Sequence, residues 1–164
     1  VQLCQKRITR RYPHFQFAHV ALVNDLYTLE GSSADHFIFP YADHQFDFAW
    51  ATSVFTHMER HEVINYLREA RRVIRPGGRF LATFFLVDDI ARQAAQGGAY
   101  DFSVQRGEDW YMDAEVKGAN VGFAPGHVQL WAKETGWSAA QVYLGRWSGR
   151  LGETTDFQDI VIFS

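Results

Sequence analysis

The residues best equipped for chemistry are seven histidines: His14, His19, His36, His44, His57, His61 and His127. Only His57 and His61 stand at a ligand-like interval, four apart on a stretch with helical periodicity. Two imidazoles facing the same side could hold zinc with a third ligand. The other five histidines stand at no such spacing, and no metal site is expected. Ser53 precedes a helix, where a hydrolase would place its nucleophile, but that nucleophile needs a glycine-flanked sharp turn, and "ATSVF" has no glycine. Cys4 is the single cysteine, so an internal disulfide is excluded, and it reads as a core or surface thiol rather than a nucleophile. One free thiol fits a reducing compartment, and a cytoplasmic location is expected. No catalytic dyad can be named from side chains alone.

The elements that would position such residues come next. A chain of 164 residues, 47% hydrophobic and 21% charged, is one globular domain by size and can bury a core. A formal charge of −3 argues against nucleic acid as a partner, and the arginines of "YLREARRVIRPGG" read as a solvated helix face around Glu69. No apolar run approaches the ~20 residues of a membrane span, so no membrane partner is expected. "VQLCQKRITRRYP" places Val1, Cys4 and Ile8 on one helical face and ends at Pro13. "FQFAHVALV" (15–23) reads as a buried strand, "NDLYTLEGSSADH" as a loop, and "FDFAWATSVF" as a second strand. In "THMERHEVINYLREARRVI" the residues Val63, Leu67, Ala70 and Ile74 form one apolar stripe, and Thr56 with Glu59 has the spacing of a capping box.

Pro76-Gly77-Gly78 predicts the end of that helix. "RFLATFFLV" follows as a strand apolar on both faces, as a central parallel strand between two helix layers would be. Residues 88–125 are rich in Gly, Trp, Tyr and Phe and read as a lid or insert within the single domain 1–164, with a helical turn or two at "ARQAAQ". "GHVQLWAKETGW" predicts a short helix closed by Gly136. "AQVYLGRW" and "FQDIVIFS" predict two last strands, joined by a turn too short for anything but antiparallel pairing. The fold class is α/β: strand and helix alternate around a mostly parallel sheet, and the antiparallel close sets it apart from a plain dinucleotide-binding fold.

These residues carry a resemblance. "FPYADHQFDFAWATSVFTHM", the helix after it and "VIRPGGRFLATFF" resemble the class I S-adenosylmethionine-dependent methyltransferases. The resemblance rests on Pro40-Tyr41, Asp43, Phe46-Asp47, Ala51-Thr52-Ser53, His57 and Arg75-Pro76-Gly77-Gly78, and it covers residues 15–86. The terminal hairpin fits the antiparallel last strand of that Rossmann-like fold. The resemblance implies about five strands, the third to seventh of the family sheet, with the helix before Phe15 as the family's second.

It also implies a methyltransferase acting with S-adenosylmethionine. A sulfonium methyl is already electrophilic, so such a site needs to hold the cofactor, align the nucleophile and exclude water; a general base is needed only where the acceptor must lose a proton. By position, Ala51, Thr52 and Ser53 should approach the cofactor's methionine part, although they also read as ordinary small residues at a strand end. Val20, Ala21 and Asn24 should lie near the adenine. Family members place an aspartate around Ala21; this chain has none there, and Asp25 or Asp35 is the substitute. His57 has two readings, contact with the acceptor or a hydrogen bond at the helix start. Tyr100, Trp110 and Tyr111, with Phe123, would line a lid over the acceptor or pack the loop down. No residue is assigned as catalytic.

The family's glycine-rich first strand-turn and the acidic end of its second strand are not in this sequence. Since the chain opens at Val1, those elements are expected upstream, in a longer protein or lost to truncation, leaving half a cofactor site and weak or absent activity. The third strand would then pair with the fourth, pair with another copy in a homodimer, or be exposed. The expected acceptor is a small or glycan-like molecule. The rival expectation is a non-catalytic binding module of the same fold.

Overall fold

The computed structural model describes residues 1–164. Its main sheet has four strands in the order β1 (Phe46–Ala51), β2 (Ile74–Phe84), β7 (Asp159–Phe163) and β6 (Ala140–Tyr143). β1 and β2 are parallel, with Ala49 opposite Phe80 and Ala51 opposite Ala82. β7 runs against both β2 and β6. Three strands therefore run one way, and the antiparallel strand lies between two of them. The sheet is Rossmann-like and mostly parallel, as the alternation of elements predicts.

Helix α2 (Arg60–Val73) joins β1 to β2, and its stripe of Val63, Leu67, Ala70 and Val73 is buried. Those residues meet Phe80, Ala82 and Phe84 of β2 and Val161 and Phe163 of β7 in one core, which α4 (Pro125–Glu134) completes with Val128, Trp131 and Ala132. At its start the helix departs from the expected cap. Glu59 is the capping residue, and its side chain and that of Glu62 form the reciprocal box. Thr56 lies one turn earlier, in a 3-10 turn over Phe55–His57. That turn already spends the N–H groups of His57 and Met58 on the carbonyls of Val54 and Phe55. The chain must therefore extend through Met58 before the α-helix begins.

Pro76-Gly77-Gly78 also sits differently from a simple helix stop. The helix closes at Val73, and the Pro-Gly-Gly step lies inside β2 as a bulge, across which the partner of Phe46 is Ile74 and the partner of Phe48 is Arg79. Gly77 has φ +81°, and a Cβ on Gly78 would lie 2.6 Å from the Asp47 carbonyl oxygen. Both glycines are required by this backbone.

Residues 88–125 fold into α3 (Asp89–Ala95) and a small antiparallel sheet of β3 (Val104–Arg106), β4 (Asp109–Tyr111) and β5 (Val121–Phe123). This insert is fastened to the extension of β2: Val87 N–H donates to the Phe123 carbonyl (2.8 Å) and Phe123 N–H to that of Phe85 (2.9 Å). A second apolar cluster of Phe85, Val87, Ala91, Ala95, Phe102 and Trp147 lies under α3.

Two expectations are corrected. Residues 15–23 form no strand; around them there are only isolated bridges, Leu22 with Ser32 and Asn24 with Thr28. An apolar run becomes a strand only where a neighbouring ladder accepts its backbone groups, and the outer edge of β1 carries no partner strand. The sheet thus has four strands rather than five. Nor is β2 covered on both faces. α2 and α4 lie on the face of Phe80 and Ala82, while Arg79 is exposed and Leu81 half-buried on the other, beside Phe48 and Trp50 of β1. The N-terminal helical segment, α1 (Gln2–Cys4) with a π turn over Gln5–Thr9, buries none of its residues.

Candidate functional site

The carboxyl ends of parallel strands in an open α/β sheet are where a ligand crevice forms. Here β1 leads at Ser53 into a tight turn. Ser53 has φ 53°, a left-handed conformation that non-glycine residues seldom adopt. Its N–H donates to Thr83 Oγ1 on β2 (2.8 Å), and its hydroxyl donates to Gln158 Oε1 just before β7 (3.1 Å). The Thr83 hydroxyl donates to the same Gln158 oxygen (2.7 Å).

Beyond this turn a cavity of about 280 Å³ opens, bordered by Val20, Leu22, Asn24, Tyr27, Ser53 and His57 among others. Asn24 is held by its own turn: its backbone exchanges hydrogen bonds with Thr28, and its Oδ1 accepts from Leu26 N–H (3.1 Å). Its Nδ2 donates to the His57 carbonyl (2.7 Å). The His57 Nδ1 lies 2.8 Å from the Gly118 carbonyl oxygen. A carbonyl can only accept, so Nδ1 carries the hydrogen, and in the neutral ring Nε2 holds the lone pair. The ring of Tyr27 meets that of His57 edge to face at 5.7 Å.

The insert reaches this cavity through its loop, not through its aromatic residues. Asp25 accepts the N–H groups of Lys117 and Gly118 (2.8 Å each), and Lys117 Nζ pairs with Glu59 (2.6 Å). A smaller polar niche of about 190 Å³ lies between these groups, with His57 and Glu62 on its wall. Burial pushes the Glu62 carboxyl above its usual range, although Glu59 N–H bonds to it. Burial, with the Glu62 charge, also pushes the Tyr66 hydroxyl up to about 12.

Of the residues singled out in the sequence, Val20, Asn24, Ser53 and His57 share this cavity. Ala21 stands outside it, its carbonyl bonded to Ser32 N–H. Ala51 lines an adjoining apolar groove of about 480 Å³ with Phe48, Trp50 and Phe80, which shares Val54 and Tyr66 with the cavity, and Thr52 is exposed and borders neither. The aromatic residues of the insert lie elsewhere. Tyr100 packs on Phe85 and Phe157, Trp110 lies under Arg92 at 5.1 Å, and Tyr111 and Phe123 are buried in the core. Desolvation pushes the Tyr111 hydroxyl up to about 12. His57 bonds to the insert rather than to the start of α2. Tyr27, Lys117, Gly118, Thr83 and Gln158 were not singled out. Their partners across the site are 30 to 105 residues away, and no local pattern marks them.

Known proteins resemble this chain in sequence and in fold. Residues 7–82 match the family described as "Methyltransferase domain". A methyltransferase named GfsG from Streptomyces halstedii is 38% identical over 68 residues, which are 39% of this chain and 24% of that protein. A SAM-dependent methyltransferase from Methanosarcina mazei superimposes with a TM-score of 0.51 at 16% identity, over 82% of this chain and 64% of that one. One from Thermotoga maritima gives 0.50 at 16%, over 82% of this chain and 61% of that one. The match thus spans about a quarter of the curated relative and less than two thirds of these two structures.

Proposed function

We propose that this chain, which matches the methyltransferase-domain family over residues 7–82 and resembles S-adenosylmethionine-dependent methyltransferases in fold, serves methyl transfer from S-adenosylmethionine, with the cavity beyond β1 as the cofactor's seat. The observation that supports this reading is the meeting of Val20, Asn24, Ser53 and His57, from two distant stretches, at the carboxyl end of a parallel strand pair. The walls suit part of such a cofactor. Val20, Leu22, Val54 and Met58, with the flat ring of Tyr27, offer apolar surface for a base, and Asn24 and Ser53 offer polar atoms. At about 280 Å³ the cavity is small against the roughly 300–1,000 Å³ of drug-sized sites, so it seats a part rather than the whole.

The cofactor, when bound, supplies a methyl group already activated on sulfur. The chain's own task is to hold, orient and keep water away. Asn24 and Ser53 hold and orient, and the apolar walls exclude water. His57 stands toward the acceptor, where the lone pair on Nε2 could take a proton from an acceptor hydroxyl or amine. Ala51 and Thr52 serve the strand end rather than the ligand, and Tyr100, Trp110 and Tyr111 anchor the insert. A small or glycan-like acceptor is favoured by the net charge of −3, which disfavours nucleic acid. No helix is long and apolar enough to cross a membrane.

Isothermal titration with S-adenosylhomocysteine tests the reading. We expect saturable binding weaker than micromolar, as a partial seat should give. No binding at millimolar ligand overturns the cofactor assignment, and micromolar affinity overturns the partial seat. A second reading, a non-catalytic module that associates through β1, is favoured by one observation: Phe48 and Trp50 stack at 5.9 Å on an edge strand and remain exposed. Light scattering and the titration together separate the two readings: association without S-adenosylhomocysteine binding supports the second.

A further inference from the structure

We infer that Gln158 is a positioning residue for the cavity: it locks the left-handed turn at Ser53, and so the wall that Ser53 and Val54 present. The inference rests on the reading of this cavity as the cofactor's seat. Gln158 lies in the stretch read only as the last strand, directly before β7 and 105 residues from Ser53. Yet its side-chain oxygen is where two hydroxyl groups converge, those of Thr83 and Ser53.

The hydrogen bookkeeping makes the arrangement directional. Thr83 Oγ1 accepts the Ser53 N–H, so its own hydrogen is free to go to Gln158 Oε1. Ser53 Oγ gives its hydrogen to the same oxygen. One amide oxygen thereby closes a ring of three bonds across the exit of β1, the end of β2 and the entry of β7. Thr83 is buried, so its hydroxyl has little water to turn to when that oxygen is removed.

The ring explains the backbone. Ser53 pays a steric penalty at φ 53° that an extended or right-handed conformation would avoid. The bond from its N–H to Thr83 and the bond from its hydroxyl to Gln158 hold it there. Without Gln158 only the bond to Thr83 remains, and relaxation of Ser53 toward negative φ is opposed less. The residues directly after it, Val54 to Met58, include three that line the cavity. A change at Gln158 would therefore reach the ligand through Ser53 rather than by contact.

A double-mutant cycle tests this. Glycine takes positive φ at no steric cost, so Ser53→Gly removes the need for the lock. In the Ser53 background, Gln158→Ala is expected to weaken S-adenosylhomocysteine binding about tenfold and lower Tm by about 2–4 °C. In the Ser53→Gly background the same change is expected to leave binding unmoved and to lower Tm by less, only by what the buried Thr83 hydroxyl loses. Gln158→Glu keeps an oxygen that accepts both hydroxyls and should restore binding and Tm toward the wild-type values. Equal effects of Gln158→Ala in the two backgrounds would overturn the inference, since Gln158 would then act elsewhere. If the wild-type protein does not bind S-adenosylhomocysteine, the cofactor reading fails. The melting cycle then still decides whether Gln158 holds Ser53, with coupled losses in Tm supporting the lock and additive losses refuting it.

Discussion

His57 shows how much of a site can be read from one residue and how much depends on a partner far along the chain. Its place after a short strand and before a helix marks it for attention in the sequence. What sets its chemistry is the Gly118 carbonyl, 61 residues away, which fixes the proton on Nδ1. Asp25 in turn fixes Gly118 by accepting its N–H. The expected outcome is that the neutral ring of His57, recorded in alkaline solution, is the Nδ1–H tautomer, with the Nε2 resonance in the range of an unprotonated nitrogen in long-range ¹⁵N–¹H spectra. Asp25→Ala should loosen the Lys117–Gly118 loop and shift that spectrum toward a tautomer mixture; an Nε2–H ring in the wild type would refute the base role. Asn24 and Ser53 are named by the resemblance, from their positions at the ends of the family's third and fourth strands. Tyr100, Trp110 and Tyr111 were legible as aromatic residues of an insert, but their direction was not. Aromatic rings bury large areas wherever a core offers itself, and here the cores beneath the insert took them.

Elements were legible where a local period matched a local partner. The stripe of α2, the short helix ending near Gly136 and the terminal antiparallel pair all follow from spacing within a few turns. The run over 15–23 has strand composition but no ladder, and composition cannot report a missing neighbour. What holds the approach to β1 in its place is a charged clamp on α2. Arg72 donates to the carbonyls of Phe39 and Tyr41 and to Asp43 and Glu69, while Glu69 accepts Phe39 N–H (2.7 Å). The hydrogen bonds from Arg72 hold the Glu69 carboxyl below its usual range, against the opposing effect of burial. A lowered folded-state value means stability that is fully present above the ordinary carboxylate pKa and lost as pH falls through the folded value. Glu69→Gln should therefore cost about 1.5–3 kcal/mol near neutral pH, the worth of hydrogen bonds to a charged group, and progressively less in acid. Urea melts of both proteins from pH 7 down to pH 3 would show the two stability curves converging. Parallel curves would mean that Glu69 is not the group that titrates.

At the scale of the whole molecule one face of the sheet is covered throughout, and the other only toward the carboxyl end of β2, where α3 and Phe85 lie. The open face holds Phe48, Trp50, Leu81 and Ile162, and Phe48 and Trp50 are 47% and 66% exposed. They stand on an edge strand whose outer backbone groups meet no other strand, an arrangement that invites pairing with a second edge. The size of the effect can be judged. If each ring buried a further ~100 Å² at about 25 cal/mol per Å², two rings on each of two copies would contribute roughly 10 kcal/mol. Association costs about 4–15 kcal/mol in lost freedom before any other contact is counted. The balance favours a weak, concentration-dependent dimer rather than a permanent one. Light scattering over a range of protein concentration should therefore show a mass that climbs above the monomer value, and Trp50→Lys should hold it at the monomer, since a charge on an edge strand opposes edge-to-edge pairing. Because Trp50 lines the apolar groove and not the cavity of His57, the same substitution should leave S-adenosylhomocysteine binding unchanged. A wild-type protein that stays monomeric at every concentration would rule out β1 as an interface between copies. Loss of ligand binding on Trp50→Lys would show that the open face and the cavity are one site.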